Sequence, residues 1–326
     1  MDDPMGPIST FIDAQFKHFN ARETRDAARG WRKLLDGGGQ MFVTLAGAMS
    51  SAELGISLSK MIRQGKVHAI SATAANLEED LFNLLAHDDY VIIPEYRDLS
   101  PDKEEELAER GLNRVTDTCI PETIMRNAEG ILFDLWKQAE VEGTRSFPWE
   151  YVYRLLSDEG IEQHFQIPRE NSWIIAAMEM NIPVYTPGWE DSTLANMFTA
   201  EVMKGALTGH GVVRSGTEQL QHLAEWYVER VKQGIPVGFF QIGGGIAGDF
   251  SICVVPMLRQ DLKMDIPVWS YFAQISDSTT SYGSYSGAVP NEKITWHKLE
   301  KKTPKYMINS DATVIAPLIF AYVLGE

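Results

Sequence analysis

Cysteine is nearly absent from this chain. Its 326 residues include only Cys119 and Cys253, far apart and without paired or histidine-linked spacing. That excludes a disulfide-stapled scaffold and a thiolate zinc site. Basic residues are scarce too: 29 Lys and Arg stand against 45 Asp and Glu, a net charge of −16. Nucleic-acid binding needs clustered cations that displace counterions from phosphates, so no such partner is expected. Long apolar runs are also missing. The longest, residues 314–324, falls short of the roughly 20 residues that span a bilayer. Met1-Asp2-Asp3-Pro4 shows no basic segment leading into an apolar stretch, so no signal peptide is expected and the expected compartment is the cytoplasm. His18, His68, His87, His164, His210, His222 and His297 show no ligand spacing, and no metal is expected.

What is present is ordinary globular material, with 44% hydrophobic and 23% charged residues, enough for a sizeable core. An acidic surface concentrates cations, which favours amines as ligands, although it equally serves solubility. Residues 8–36 read as an amphipathic helical segment ended by Gly37-Gly38-Gly39. Short apolar runs then follow at 41–48, 67–74, 90–94, 182–186, 236–242, 268–275 and 313–321. Helix-like stretches separate them at 51–63, 77–86, 121–142, 217–233 and 254–262. Continuous apolar strands imply a sheet covered on both faces. The expected fold is therefore α/β: a doubly wound, mostly parallel, Rossmann-like sheet over residues 37–326, preceded by an N-terminal helical extension, residues 1–36.

The sharpest local signal is Gly243-Gly244-Gly245-Ile246-Ala247-Gly248, which follows the 236–242 strand and satisfies G-x-G-x-x-G. Glycines there let a backbone approach a pyrophosphate at a helix N-terminus. Asp265, 17 residues on, falls near where a ribose-binding acid is expected. The motif alone equally fits a glycine turn without a ligand. Gly47-Ala48-Met49-Ser50-Ser51 and Thr73-Ala74-Ala75-Asn76 close two further strands, where ligands of parallel sheets lie. Glu78, Glu79 and Asp80 are expected in the first turn of the next helix, where acids complement the helix dipole. Residues 276–288 are dense in hydroxyls and glycine between apolar neighbours, which suggests an ordered ligand loop.

Several stretches together resemble the deoxyhypusine synthase family, in particular its bacterial deoxyhypusine synthase-like branch. They are 77–80 with the preceding Thr-Ala, Ile182-Pro183-Val184-Tyr185-Thr186-Pro187, 243–245, 282–292, Trp296-His297-Lys298 and Ser310-Asp311-Ala312-Thr313. The resemblance implies NAD-dependent transfer of an aminobutyl group from a polyamine such as spermidine, through an imine on a lysine, to an acceptor amine. Lys298 matches the family's catalytic lysine, and Trp296 and Glu292 match residues flanking it. Ser50, Thr73, Asp191, Gly243, Gly245, Gly283, Ser284, Ser286 and Asp311 match positions that contact the dinucleotide. Glu79 matches a carboxylate that meets the substrate amine or the nicotinamide ribose. The resemblance also implies a homotetramer with active sites between subunits. From the residues alone, Asp191 equally fits a plain helix N-cap.

The departures concern the amine pocket. Gly248-Asp249-Phe250 stands where the family has Lys-His-His, Asn196 and Tyr285 stand where it has acids, and Gly47 replaces an asparagine. Asp249 supplies a new carboxylate, and Tyr285 and Tyr282 could stack on an alkylammonium. The acceptor is accordingly open between a protein lysine and a free diamine, the latter giving a homospermidine-synthase-like activity. The same departures also fit a catalytically lapsed NAD- or polyamine-binding protein, or a simple amine dehydrogenase that transfers hydride alone.

Overall fold

Apolar runs that are buried on both faces can pair only within a covered sheet, and six strands do so here. The computed structural model describes residues 5–158, 160–280 and 283–326, so Tyr282 lies outside it. In chain order the strands are β1 (Gln40–Leu45), β2 (Ala69–Ala72), β3 (Val91–Ile92), β4 (Leu112–Val115), β5 (Thr118–Pro121), β6 (Val184–Tyr185), β7 (Val237–Ile242), β8 (Tyr271–Ser276) and β9 (Lys305–Asn309). The main sheet runs β6-β2-β1-β7-β8-β9, with every pair parallel. The chain builds outward from β1 to β2 and β6, then returns beside β1 with β7 and builds the other way. The order therefore reverses between β1 and β7, which is where α/β sheets open a binding crevice.

Side-chain alternation divides the core in two. On one face Phe42, Phe239 and Phe272 stack across three strands, with ring centroids 5.6 and 6.2 Å apart. Helices Gly216–Lys232 and Gly245–Ile252 cover that face. On the other, Met41, Val43, Phe240 and Ile275 pack under Phe19–Asp36, Gly55–Arg63, Trp173–Glu179 and Ala312–Leu324. Trp31 is fully buried there, 4.6 Å from Phe240 and 6.0 Å from Phe320 by ring centroids, and its Nε1 donates to the Lys66 carbonyl. The N-terminal helix is thus a layer of the main core. No helix among the described residues is long and apolar enough to cross a membrane.

Three expectations are corrected. The 313–321 run is helical, within Ala312–Leu324, and the neighbouring strand is β9. Hydrophobicity cannot tell a buried helix from a buried strand. Asp311 decides the matter by accepting from Thr313 N at 2.8 Å and starting the helix. The 90–94 run contributes only β3, which pairs antiparallel with β5 in a small side sheet, β3-β5-β4. Finally, Glu78, Glu79 and Asp80 lie in the second turn of helix Ala74–Ala86, not its first, and are buried.

Those acids serve the starts of other segments. Glu78 accepts from Thr193 N and Leu194 N, opening helix Thr193–Met203. Asp80 accepts from Ser172 Oγ and Ile174 N at helix Trp173–Glu179. Glu79 accepts from Ser51 N at 3.2 Å, on the loop after β1. Burial outweighs these bonds and raises all three pKa values, that of Asp80 from 3.8 to about 6 and that of Glu79 from 4.5 to about 7.

Trp31→Ala should lower unfolding free energy by about 3–5 kcal/mol in urea titrations, the cost of emptying a buried aromatic site. Between the unfolded and folded pKa values of Glu79, the folded chain holds a proton that the unfolded chain has released. Stability should therefore fall as pH rises from 4.5 to about 7, by about 3 kcal/mol for this group. Glu79→Gln should flatten the limb between pH 6 and 7, above the Asp80 midpoint of about 6; urea midpoints across that range would check it.

Candidate active site

The carboxyl ends of β1, β7, β8 and β9 open on a cavity of about 710 Å³. Ala46, Gly47, Gly243, Ser276, Ser310 and Asp311 line it, and the β4–β5 turn at Thr116 and Asp117 faces them. Gly243 has φ +74°, and a Cβ there would stand 3.0 Å from the Cβ of Ala46. Gly244 is held tighter still, since its Cβ would lie 2.0 Å from Ser286 Oγ. Gly245, at φ +57°, starts helix Gly245–Ile252, and its N–H donates to Ser286 Oγ at 3.3 Å. A Cβ at Gly248 would meet Gln241 Oε1 at 2.7 Å. Gly243 and Gly248 therefore provide the sharp turn and the tight helix–strand contact expected of this motif, Gly245 leaves open space at the helix start, and Gly244 admits the Ser286 loop. Asp265 does not join them: it is exposed on the segment entering β8, at the opposite end of the sheet.

A buried polar row lies beneath the turn. Ser71, Thr44, Gln241 and Gln274 are in register across β2, β1, β7 and β8, and all are fully buried. Gln241 Nε2 donates to the Gly243 carbonyl, and Gln274 Nε2 donates to the carbonyls of Gly243 and Ser286 at 3.0 and 2.8 Å. Ser71 Oγ donates to the Ala247 carbonyl. The row binds the glycine turn, the following helix and the 284–288 loop to the sheet.

The loop after β1 is fixed from the other side. Asn76 Nδ2 donates to the Gly47 carbonyl at 2.7 Å and to Thr73 Oγ1 at 2.8 Å, while Thr73 Oγ1 donates to the same carbonyl. Ser50 points inward, with its Oγ donating to the Asn76 carbonyl and accepting from Trp173 Nε1. Its neighbours Met49 and Ser51 face the cavity instead. Glu79 lines a separate, smaller cavity with Glu78, Phe82 and Thr193. Asp191 and Asn196 are exposed. The N-cap beside Asp191 is Ser192, whose Oγ accepts from Ala195 N at 3.1 Å. The same 187–192 loop adjoins the glycine turn, for Ile246 Cδ1 lies 2.9 Å from where a Gly188 Cβ would be.

The lysine cluster sits at the far end of the Gly245–Ile252 helix. His297 has φ +58°, a left-handed bend that separates its neighbours. Trp296 on one side is 63% exposed, whereas Lys298 on the other is 6% exposed. Lys298 Nζ pairs with Asp249 Oδ1 at 2.8 Å, and Cys253 Sγ donates to the same oxygen at 3.3 Å. The Nζ lies 5.2 Å from the Tyr285 ring centroid and 5.9 Å from that of Trp296. Tyr285 is held by its hydroxyl, which donates to Gln241 Oε1 at 2.8 Å. Glu292 is exposed at the start of helix Glu292–Thr295. Gly283, Ser284 and Ser286 lie on the loop that carries Tyr285, with Gly283 at φ +87°.

Sequence reasoning passes over Lys293, because a lone lysine is ordinarily a surface residue. It is 2% exposed, with its Nζ 4.9 Å from the Phe272 ring, 5.0 Å from the Tyr285 ring and 3.4 Å from the Ala288 carbonyl. Burial pushes its pKa down from 10.5 to about 8, with the Lys298 charge adding to the effect. The one signal of it in the sequence is its place five residues before Lys298, amid Ile294, Trp296 and Leu299.

Comparisons with known proteins bear on the family and the fold. The deoxyhypusine synthase family profile matches residues 14–323. A "Probable deoxyhypusine synthase 2" of Methanosarcina acetivorans is 26% identical, covering 98% of this chain and 87% of its own length. A "Deoxyhypusine synthase-like protein" of Nostoc punctiforme is 27% identical, covering 98% and 80%. A crystal structure assigned as a deoxyhypusine synthase from Entamoeba histolytica shares the fold, with a TM-score of 0.58 at 11% identity, over 95% of this chain and 90% of that one. With a family match from residue 14 to residue 323 and the glycine turn, hydroxyl loop and buried lysine on one parallel sheet, the chain belongs to the deoxyhypusine synthase family.

Proposed function

We propose that this chain is a deoxyhypusine synthase-like, NAD-dependent transferase that moves an aminobutyl or related alkylamine group from a polyamine such as spermidine to an acceptor amine. The observation that carries this reading is Lys298: a lysine with its amine enclosed by Tyr285, Trp296 and Asp249, on the helix-and-loop unit that begins at the glycine turn. A lysine acting as nucleophile must be neutral when it attacks, and Asp249, at 2.8 Å, is positioned to orient its amine. Attack by the amine on an oxidised polyamine would form a carbon–nitrogen bond to Lys298 and release the remaining diamine. The rings of Tyr285 and Trp296 would exclude water and favour the cationic imine by cation–π attraction.

The crevice fits a dinucleotide. Its volume is about 710 Å³, Gly243 and Gly244 leave no room for side chains, and Ser310 and Asp311 supply polar groups at the ends of β9 and the following helix. Gly243, Gly245, Ser284, Ser286 and Asp311 would hold NAD, with Gly283 shaping the loop and Ser50 and Thr73 fixing the β1 loop beside it. When bound, NAD would accept a hydride from the carbon next to the substrate nitrogen and return it at the end of the cycle. Asp191, Glu79, Asn196 and Glu292 are assigned by family position to cofactor and substrate contacts.

Trp296 supports shared sites: a large ring over the reactive amine yet 63% exposed is suited to burial by a second subunit, as in a homotetramer with sites between subunits. The acceptor would be a protein lysine or a free diamine. The two free thiols, Cys119 and Cys253, suit a reducing cytoplasm.

Incubation with NAD and spermidine, putrescine, agmatine or homospermidine, followed by borohydride reduction, should leave an alkylamine adduct on Lys298 by peptide mass mapping. The adduct should require NAD and vanish in Lys298→Ala. NAD binding with no adduct from any amine would favour a binding protein or a simple amine dehydrogenase. Gly244→Ala, which forces a Cβ onto Ser286, should weaken NAD binding on the order of tenfold by calorimetry, about 1.4 kcal/mol.

A further inference from the structure

A second cavity, of about 310 Å³, lies next to the crevice, and Val115 lines both. Helix Ala74–Ala86 contributes Glu78, Glu79 and Phe82 to it, and Thr193 adds a further side. The β4–β5 hairpin supplies another wall. Asn113 and Ile120 are cross-strand partners there, and alternation places Val115 on the same face. Arg114, between Asn113 and Val115, takes the other face and pairs with Glu104. Among the described residues, no Lys, Arg or His lines the cavity. Glu122 also lines it and accepts from Asn113 Nδ2 at 2.8 Å.

The two buried glutamates differ in what they still lack. Glu78 has both oxygens occupied, by Thr193 N at 3.1 Å and Leu194 N at 2.9 Å. Glu79 is 7% exposed, yet only its Oε2 is bonded, to Ser51 N at 3.2 Å. Its Oε1 has no hydrogen-bond partner among the described residues. A carboxylate withdrawn from water with half its acceptor capacity unused is costly. A cation within reach would remove that cost. Phe82, Val115 and Ile120 make much of the lining apolar, which suits a charge carried on a hydrocarbon chain better than a metal ion that holds on to its water. No group of three metal-ligating side chains occurs among the described residues.

We propose that this cavity is a binding site for a small protonated alkylamine, with Glu79 pairing its ammonium group and Phe82, Val115 and Ile120 covering its methylenes. The site lies outside the crevice and makes no use of Lys298, so it goes beyond the transferase reading and stands without it. The ionisable groups around Glu79 are Glu78 on its own helix, Tyr90 just after that helix, and Glu122 from helix Glu122–Glu142. None of them is a cation. Glu79 therefore keeps its proton up to about pH 7, and a bound ammonium would displace that proton.

Putrescine is the probe, titrated by calorimetry without NAD at pH 8. Binding should persist in Asp249→Asn, which alters the surroundings of Lys298, and weaken on the order of tenfold in Glu79→Gln. The uncharged analogue 1,4-butanediol should bind far more weakly than putrescine. At pH 6 binding should release a proton, so that the measured heat varies with the ionisation heat of the buffer, and Glu79→Gln should abolish that variation. Intermolecular NOEs from the putrescine methylenes to the Phe82 ring and the Ile120 methyls should place the ligand. Unchanged affinity in Glu79→Gln, equal binding of the diol, or NOEs confined to Tyr285 and Trp296 would each overturn the proposal. So would displacement of putrescine by an equal concentration of magnesium. If Glu79→Gln failed to fold, the NOEs in the unaltered chain would still decide. A borohydride adduct on Lys298 without binding here would sink this inference alone, and binding here without an adduct would count against the transferase reading alone.

Discussion

The row formed by Ser71, Thr44, Gln241 and Gln274 is the constraint on which the functional end of this molecule depends. Buried amide and hydroxyl groups inside a sheet are costly without partners, and in this row Ser71 and the amide nitrogens of both glutamines have them, while Thr44 Oγ1 and Gln274 Oε1 do not, among the described residues. The two glutamines find them by drawing the chain back over the sheet: both amides reach the Gly243 carbonyl, and Gln274 also takes that of Ser286. The Gln241 amide oxygen accepts from the Tyr285 hydroxyl. The glycine turn, the hydroxyl loop and the ring beneath the lysines are thereby set by the same two side chains. Crevice and lysine cluster are consequently two sides of one rigid piece.

The helix Ala74–Ala86 does the comparable work on the other half of the sheet. Glu78, Glu79 and Asp80 are consecutive, so their side chains fan around the helix and reach three separate segments. Each accepts from backbone N–H groups that would otherwise be orphaned at a helix start or turn. Together with Asn76 and Asn83, which bind the carbonyls of Gly47 and Ser50, they fix the β1 loop at the crevice edge. Helix dipoles pointing at buried carboxylates make this arrangement tolerable despite the burial that raises their pKa values.

Much of the sheet is legible in the sequence because its strands are continuous apolar runs between glycine-rich or hydroxyl-rich turns, and the reversal at the Gly243 turn leaves its mark as three adjacent glycines. The last helix passes for a strand because residues 313–321 carry no polar side to reveal a period; only the capping by Asp311 distinguishes it. Strand β9 escapes notice for the opposite reason, since Lys305 and Asn309 at the ends of a short edge strand dilute the apolar signal. At the site, family likeness points to Lys298, but nothing in its immediate sequence tells it from Lys301 or Lys302. The partnership with Asp249, 49 residues earlier, and the burial of Lys293 arise only when helix and loop meet over β7 and β8. The inward orientation of Ser50 likewise depends on Trp173, 123 residues away.

Trp296 gives the molecule an optical consequence. The chain has eight tryptophans. Six of them, Trp31, Trp136, Trp173, Trp189, Trp226 and Trp269, are buried, and Trp149 is half-buried, whereas Trp296 alone stands mostly in solvent. A small water-borne quencher therefore reaches chiefly the ring that overhangs Lys298. Emission from this one indole is a native window on whether the space above the amine is open, filled by a ligand or closed by a neighbouring molecule, with no dye attached.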